Sequence, residues 1–436
     1  MTVVEIHHNP NLLSPFAPQL IPVQIYGNDG RKQGKIAVIG NPVIDPIKRL
    51  GVSISAIEFD FLTLALAVTA ADTFIQRKFS ADGWTREINL EVPLYKPLVW
   101  KNQKNKLEQA LNFLSGDLWN INITASGMKP PQPYTKKQRH RLTPLKGRDC
   151  VCLFSGGLDS AIGAIDLIEK KRSPLLVSHS YKGDKSYQED IANNISGDFS
   201  RFSVNAHPIS INGKTDISMR TRSFNFLAFG AVGANAVAQI NKLEKVNLFV
   251  PENGFISLNA PLTPRRIGSL STRTTHPYFF QLIQEIFDSV GIKTEIVNPY
   301  QFKTKGEMLI DCKDQKVLQN IVSNTVSCSK WKRDKIQCGK CVPCIIRRSS
   351  IFVSNTTEST SYKYQNLLAE IKHPERCDDL FALMIAIKKL PTAKIGAWIS
   401  SSGPLSNDPI NWKQYKQVFS KGMDEVKNFL IKEGLI

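Results

Sequence analysis

The feature that most constrains this chain is a short apolar run that ends in two glycines. Val151 to Ile165 reads VCLFSGGLDSAIGAI, a buried strand passing directly into Ser155-Gly156-Gly157-Leu158-Asp159-Ser160 and then into a helix. So abrupt a bend needs residues without a Cβ, and successive N–H groups at a helix start make an anion site that the helix dipole reinforces. The loop is built to hold phosphate. Ser155 and Ser160 can add hydroxyl donors, and Asp159 can cap the helix or help hold the Mg²⁺ of a nucleotide. A mere strand-to-helix turn would explain the glycines but not the flanking serines and aspartate. The pattern is not the Walker A loop, because no Gly-Lys-Ser or Gly-Lys-Thr closes it, and Gly34-Lys35 is followed by Ile36.

The segments around this loop predict its setting. CVCLF, PLLVSHS, RFSVNAHPISI, KVNLFVP and KTEIVNP are short and apolar, and they alternate with helical stretches including SAIGAIDLIEKK, SFNFLAFGAVGANAVAQI and PYFFQLIQEIFDSV. Such alternation predicts an α/β domain over residues 149–354, a parallel sheet with helices on both faces and ligands at the carboxyl ends of its strands. Residues 129–148 carry four prolines, seven Lys or Arg and no acid, which predicts a basic linker. Upstream, residues 1–128 combine IPVQIY, KIAVIG, REINLEVPL and WNINITA with a helix, FDFLTLALAVTAADTFIQRK, able to bury one side, and are expected to form an α+β domain. Residues 355–436 are expected to be a small C-terminal helical extension.

Four of the eight cysteines fall within seventeen residues, as Cys328-x9-Cys338-Gly339-Lys340-Cys341-Val342-Pro343-Cys344. The Cys-x2-Cys steps suit tetrahedral Zn²⁺, and four sulfurs would fill its coordination shell, which predicts a structural metal; an iron–sulfur cluster also accepts four cysteines. Lys and Arg total 56 against 38 Asp and Glu, a net charge of +18 that favours polyanionic ligands, nucleotides or nucleic acid among them. The longest apolar run, Phe61 to Ala71, is short of the ~20 residues that cross a bilayer. No secretion signal is legible at the N-terminus. The expectation is a cytoplasmic protein with no membrane partner.

The complete SGGLDS loop resembles the signature of the PP-loop ATP pyrophosphatases, which cleave ATP between its α and β phosphates and adenylate a substrate oxygen. With the C-x9-CGKCVPC-IIRR cluster, the stretch from about Arg148 to Phe352 is similar to one branch of them, the 7-cyano-7-deazaguanine synthases (QueC). The long additions at both ends look like the QueC-like proteins of bacterial anti-phage operons, notably the Qat system and a CBASS subtype. The resemblance implies ATP with Mg²⁺, structural Zn²⁺ on Cys328, Cys338, Cys341 and Cys344, and a 7-carboxy-7-deazaguanine-type substrate. It further implies that the activated carboxylate is attacked by an amine, in the defence group the N-terminal amine of an operon partner protein.

The resemblance places Ser155, Gly156, Gly157, Leu158, Asp159 and Ser160 on the nucleotide. It makes Lys305, in NPYQFKTKGEM, the phosphate-facing ammonium, and sets Arg222 where the family has an Arg-Asn pair, although Ser223 replaces the asparagine. His179, past the second strand, is a candidate base or nucleotide contact, with a surface histidine as the plainer reading. Glu252 is the candidate reader of a guanine-like edge, with Asn253 beside it. Arg273 and His276 are candidates for the same crevice, and Arg265 and Arg266 for plain surface charge. Three readings compete: a nitrile-forming synthase using ammonia, a PP-loop tRNA-modifying enzyme, and an inactive scaffold.

Overall fold

The computed structural model describes residues 2–135, 142–180, 183–216, 219–264, 273–328, 330–373 and 377–436. Helices of seven residues or more are numbered. β1 (Thr2–His7), β2 (Leu20–Ile25), β3 (Ala37–Ile39), β4 (Glu87–Pro93) and β5 (Leu118–Thr124) form one sheet in the order β3-β2-β1-β4-β5. Helix α1 (Ala56–Phe74) connects β3 to β4, and α2 (Lys104–Ser115) connects β4 to β5. Every pairing in this sheet is parallel. The α+β arrangement expected for residues 1–128 is therefore corrected to α/β. The strand TVVEIH, absent from the sequence reading, is its central strand.

The second sheet follows as β6 (Cys150–Leu153), α3 (Leu158–Glu169), β7 (Pro174–His179), α4 (Lys185–Asn193), β8 (Ser200–Val204), α5 (Arg222–Asn241), β9 (Val246–Phe249), α6 (Pro277–Val290) and β10 (Thr294–Val297). Its order is β10-β9-β6-β7-β8, again wholly parallel, as expected. Numbered within each sheet, both have the order 3-2-1-4-5 of a doubly wound fold.

The two sheets share a middle layer. Helices α1 and α5 hold the same topological place, between third and fourth strands, and pack on each other; so do α2 and α6, between fourth and fifth. A single apolar core accordingly runs from Val4, Ile6 and Leu90 through both helices to Val151, Leu175 and Leu248. This explains why α1, expected to bury one side, is buried at every residue from Glu58 to Phe74: a sheet covers one flank and α5 the other. Helix α5 is long and apolar enough to cross a membrane by composition, yet it lies in this layer and is mostly buried.

Beyond the second sheet come α7 (Lys305–Asp311), α8 (Gln315–Ile321) and α9 (Val342–Ser354), and then α10 (Asp378–Lys389) and the long α11 (Pro409–Lys432). The last helices of the chain are not a loose appendage. Helix α11 packs along α9 and touches α7, closing a separate apolar core around Phe419, Met423 and Leu430. Of the basic linker, residues 136–141 lie outside the described residues. On its flanks, the N–H groups of Tyr134 and Thr143 bind the carbonyls of Lys48 and Arg49.

Candidate functional site

In a sheet of this order the strand connections reverse direction between the first and fourth strands, which here are β6 and β9, and a crevice opens beyond their carboxyl ends. The glycine loop leaves β6 at that point and Pro251-Glu252-Asn253 leaves β9 opposite it. The crevice between them has a volume of about 540 Å³ and is walled by Ser155, Gly157, Ser160, Arg222, Glu252 and Trp331, among others. That is ample for a nucleotide.

The loop is held tightly. Gly156 has φ +80°, the left-handed region that favours glycine, and a Cβ there would stand 2.4 Å from the Tyr187 ring. The Gly157 N–H donates to Ser155 Oγ at 3.2 Å, the Ser160 hydroxyl donates to the Gly157 carbonyl at 2.9 Å, and the two serine hydroxyls lie 3.1 Å apart. Gln188 of α4 binds the Ser155 carbonyl at 3.1 Å. Neither Tyr187 nor Gln188 carried a local signal that would have placed it here.

Asp159 is the hub. Buried in the first turn of α3, one of its oxygens accepts from the Asn253 backbone N–H at 3.0 Å and from the Asn253 amide at 2.7 Å. The other binds the Lys305 ammonium, brought from 146 residues away by the start of α7. Burial by itself would raise this carboxyl, but the Lys305 charge and hydrogen bonds from Glu252, Lys305 and Asn253 hold it down at about 2. Glu252 moves the opposite way. Removal from water and the adjacent Asp159 carboxylate push it well above the usual range, which favours its protonated form. Lys305 sits where a helix N-terminus disfavours a cation, and the ion pair with Asp159 offsets that cost.

The C-terminal extension supports this lysine. Thr304 caps α7 with a capping box, and its hydroxyl also binds Glu425 of α11, which accepts the Gly306 N–H at 3.3 Å. Nothing local in the sequence marks Glu425, which stands 120 residues beyond Lys305.

The four cysteines lie together, all buried and none in a disulfide, with every sulfur within 4.8 Å of the others. The Cys338–Cys344 and Cys328–Cys341 sulfurs are 4.0 Å apart, near the ~3.8 Å edge of a tetrahedron with 2.3 Å Zn–S bonds. The backbone N–H groups of Lys330, Cys338 and Cys341 point at sulfurs, each at 3.3 Å, as thiolates favour. The donor set fits a metal such as zinc. The segment entering the knot forms part of the crevice wall: Val326 N–H binds the Gly156 carbonyl at 3.2 Å, and Arg347 of the IIRR stretch, fully buried, ties down Thr325 and Val322.

Arg222, at the first turn of α5, lies on the crevice wall and pairs with buried Asp184 at 3.2 Å. His179 does not lie on that wall. It is 1% exposed, accepts the Ala206 N–H and stands edge-on to Phe229, so the surface reading is corrected as well. Arg273 is turned to the first half of the chain, donating to the Phe113 carbonyl at 2.8 Å and covering that ring. His276 caps α6, with burial pushing its ring down to about 3, and therefore stays neutral. Arg265 and Arg266 lie outside the described residues. Comparison of the chain with protein-family models, curated proteins and solved structures gives no match.

Proposed function

We propose that the chain is a PP-loop, QueC-like enzyme that adenylates a 7-carboxy-7-deazaguanine-type carboxylate and passes it to an amine. The reading rests on one observation above others: the SGGLDS loop opens into a crevice at the reversal point of a 3-2-1-4-5 sheet, with Lys305 held on Asp159 beside it.

In this reading the loop N–H groups and the Ser155 and Ser160 hydroxyls take the ATP phosphates, and Lys305 meets the negative charge that grows as pyrophosphate leaves. Mg²⁺ would neutralise the phosphates; Asp159, whose two oxygens Lys305 and Asn253 already occupy, would have to give up one of these partners to hold it. Glu252 faces the deazaguanine edge, with buried Asn253 behind it donating to its carboxyl at 3.1 Å, and Arg222 closes the crevice opposite. A carboxylate oxygen attacks the α-phosphorus; the bond to the β-phosphate breaks, giving an acyl-adenylate and pyrophosphate. A neutral amine then adds at the carbonyl, AMP departs with the electron pair, and the amine proton passes to solvent, leaving an amide. Zn²⁺ on the four cysteines would hold the crevice wall without entering the chemistry. By analogy with the defence proteins, the amine is the N-terminus of an operon partner.

The test is to supply the purified chain with ATP, Mg²⁺ and 7-carboxy-7-deazaguanine, with ammonium or a partner protein, and to follow pyrophosphate and product masses. Carboxylate-dependent pyrophosphate and an adduct on the partner are expected. A free nitrile returns the enzyme to deazaguanine synthesis, and no pyrophosphate under any condition overturns the reading.

A further inference from the structure

The segment that enters α5 belongs to the second sheet's crevice but is held by the first half of the chain. It supplies Met219, Arg222, Ser223, Phe226 and Leu227 to the crevice wall. Its other contacts face the opposite way. The Asp216 carboxylate accepts the Arg77 N–H at 2.8 Å, and the Asp216 N–H donates to the Thr73 carbonyl at 2.8 Å. The Arg220 guanidinium donates to the Ser115 carbonyl at 3.2 Å and lies over the Trp84 ring, 3.8 Å from its centre.

The tightest hold is on Thr221, the residue before Arg222. One oxygen of Asp72, buried in the last turn of α1, accepts both the N–H and the hydroxyl of Thr221, each at 2.8 Å. Thr221 is the N-cap of α5, a place where a threonine hydroxyl ordinarily accepts from its own helix. Here it makes no such bond. The start of α5 is therefore fixed from outside, by the first domain. Asp72 is itself held, since its other oxygen accepts from Arg86 at 2.5 Å and its carbonyl accepts from Arg86 at 2.9 Å. Arg86 also binds both oxygens of Asp117, and Arg77 grips the same carboxylate through two bonds of 2.7 Å. Guanidinium groups that meet a carboxylate through two bonds fix orientation as well as distance. The first side chain after this clamp is Arg222.

We infer that Asp72 is a positioning residue for the crevice: through Thr221 it sets where α5 begins, and so where the Arg222 guanidinium stands against an anionic substrate. Asp72 does not line the crevice and acts only through the helix start. The phosphate loop, Asp159 and Lys305 belong to α3 and α7, so loosening the clamp weakens substrate binding and leaves the chemical step in place. The inference rests on the adenylation reading for the identity of the substrate, whereas the clamp stands on its own contacts.

Asp72→Asn would strand Arg86 in the interior, so the test is made at Thr221. Thr221→Val removes the hydroxyl bond and keeps the N–H bond, and Thr221→Ser keeps both. Thr69→Val removes another buried hydroxyl bond of α1, from Thr69 to the Ala65 carbonyl at 2.8 Å, in which α5 takes no part. Amide hydrogen exchange of the full chain, read without ATP, is expected to be about tenfold faster over residues 224–230 in Thr221→Val and to stay at the wild-type rate in Thr221→Ser and Thr69→Val. The KM for 7-carboxy-7-deazaguanine in pyrophosphate release rises about fivefold in Thr221→Val alone, with kcat within about twofold of wild type. Exchange at the start of α5 that is unchanged in Thr221→Val, or equally fast in Thr69→Val, overturns the inference, as does faster exchange with an unchanged KM. A wild type that releases no pyrophosphate strikes the adenylation reading instead, and the exchange rates then decide the clamp by themselves.

Discussion

The two sheets have one strand order and opposite fates. In the second, connections between first, second and third strands are helices α3 and α4, and right-handed crossovers place them on the face away from α5 and α6, so both faces are covered. In the first, the corresponding connections hold no α-helix, only loops and short 3₁₀ turns, and among the described residues the outer face is open at β5. Its strand β5 alternates exposed and buried residues along its whole length, with Asn89, Asn120 and Lys104 hydrogen-bonded across the open side. The reversal points differ in the same sense. After β6 comes a glycine loop and a helix start. After β1, which ends at His7, come His8 and Asn9, with no α-helix to aim at a ligand, and beyond β4 Asp60 accepts the N–H groups of Tyr95 at 2.8 Å and Lys96 at 2.7 Å. Strand order decides where a site can form; the first turn after the first strand decides whether it does.

The sharpest test of that contrast is a pair of substitutions. Lys305→Met lowers kcat/KM for pyrophosphate release about 10³-fold. Leaving Asp159 buried without its partner also costs about 3–5 kcal/mol of stability. The double variant Asp159→Asn with Lys305→Met restores the melting temperature but not turnover. Asp60→Ala, at the equivalent end of the other sheet, orphans two N–H groups and costs about 1–3 kcal/mol, with kcat/KM unchanged. A rate loss in Asp60→Ala comparable to that in Lys305→Met would end the division of labour between the sheets.

Cys344→Ser comes next in size. Metal content measured by mass spectrometry falls from one ion per chain to none, and limited proteolysis cuts first between Val322 and Cys344, where the crevice wall loses its anchor. A variant that keeps its metal would remove the cysteine knot from the account.

Glu425→Gln has a smaller effect, read as a change of slope. Burial raises the Glu425 carboxyl to about 7, more than its hydrogen bonds from Thr304 and Gly306 lower it. A raised carboxyl means that the folded state holds a proton the unfolded chain has released, so this group's stabilisation declines as pH rises from about 4.5 to about 7, by about 1–3 kcal/mol. In Glu425→Gln that decline disappears from the pH dependence of denaturant midpoints. An unchanged slope would detach α11 from the support of Lys305. Smallest of all, Asn89→Ala on the open face shifts stability by about 0.5 kcal/mol or less; a larger loss would mean that this face is covered.

Much of the second sheet could be read from the sequence because its signals are local. Strands buried on both faces are short apolar runs, and a phosphate loop must have glycine where the backbone turns back. The cysteine cluster was legible for the same reason, since its spacing is its geometry. Lys305 was reached by resemblance, and the structure puts it on Asp159. The first half was misjudged because its central strand, TVVEIH, is brief, and because parallel pairing is a relation between distant segments that no single segment announces. For His179 the sequence offers a base, a nucleotide contact or a surface residue, and the structure buries it against Phe229 off the crevice wall, because nothing near it in the chain encodes that ring.

The sequence by itself determined the glycine turn, the four thiols and the alternation of strand and helix in the second sheet, since each depends on residues within a few positions of one another. Only the tertiary structure decided that a second sheet of the same order lies behind the middle helices, that the Asp159 carboxyl is held down while that of Glu252 is pushed up, and that α11 holds the start of α7. Those outcomes depend on burial and charge at a few ångströms, between residues separated by scores of positions in the chain. Such terms take values only once the chain is packed.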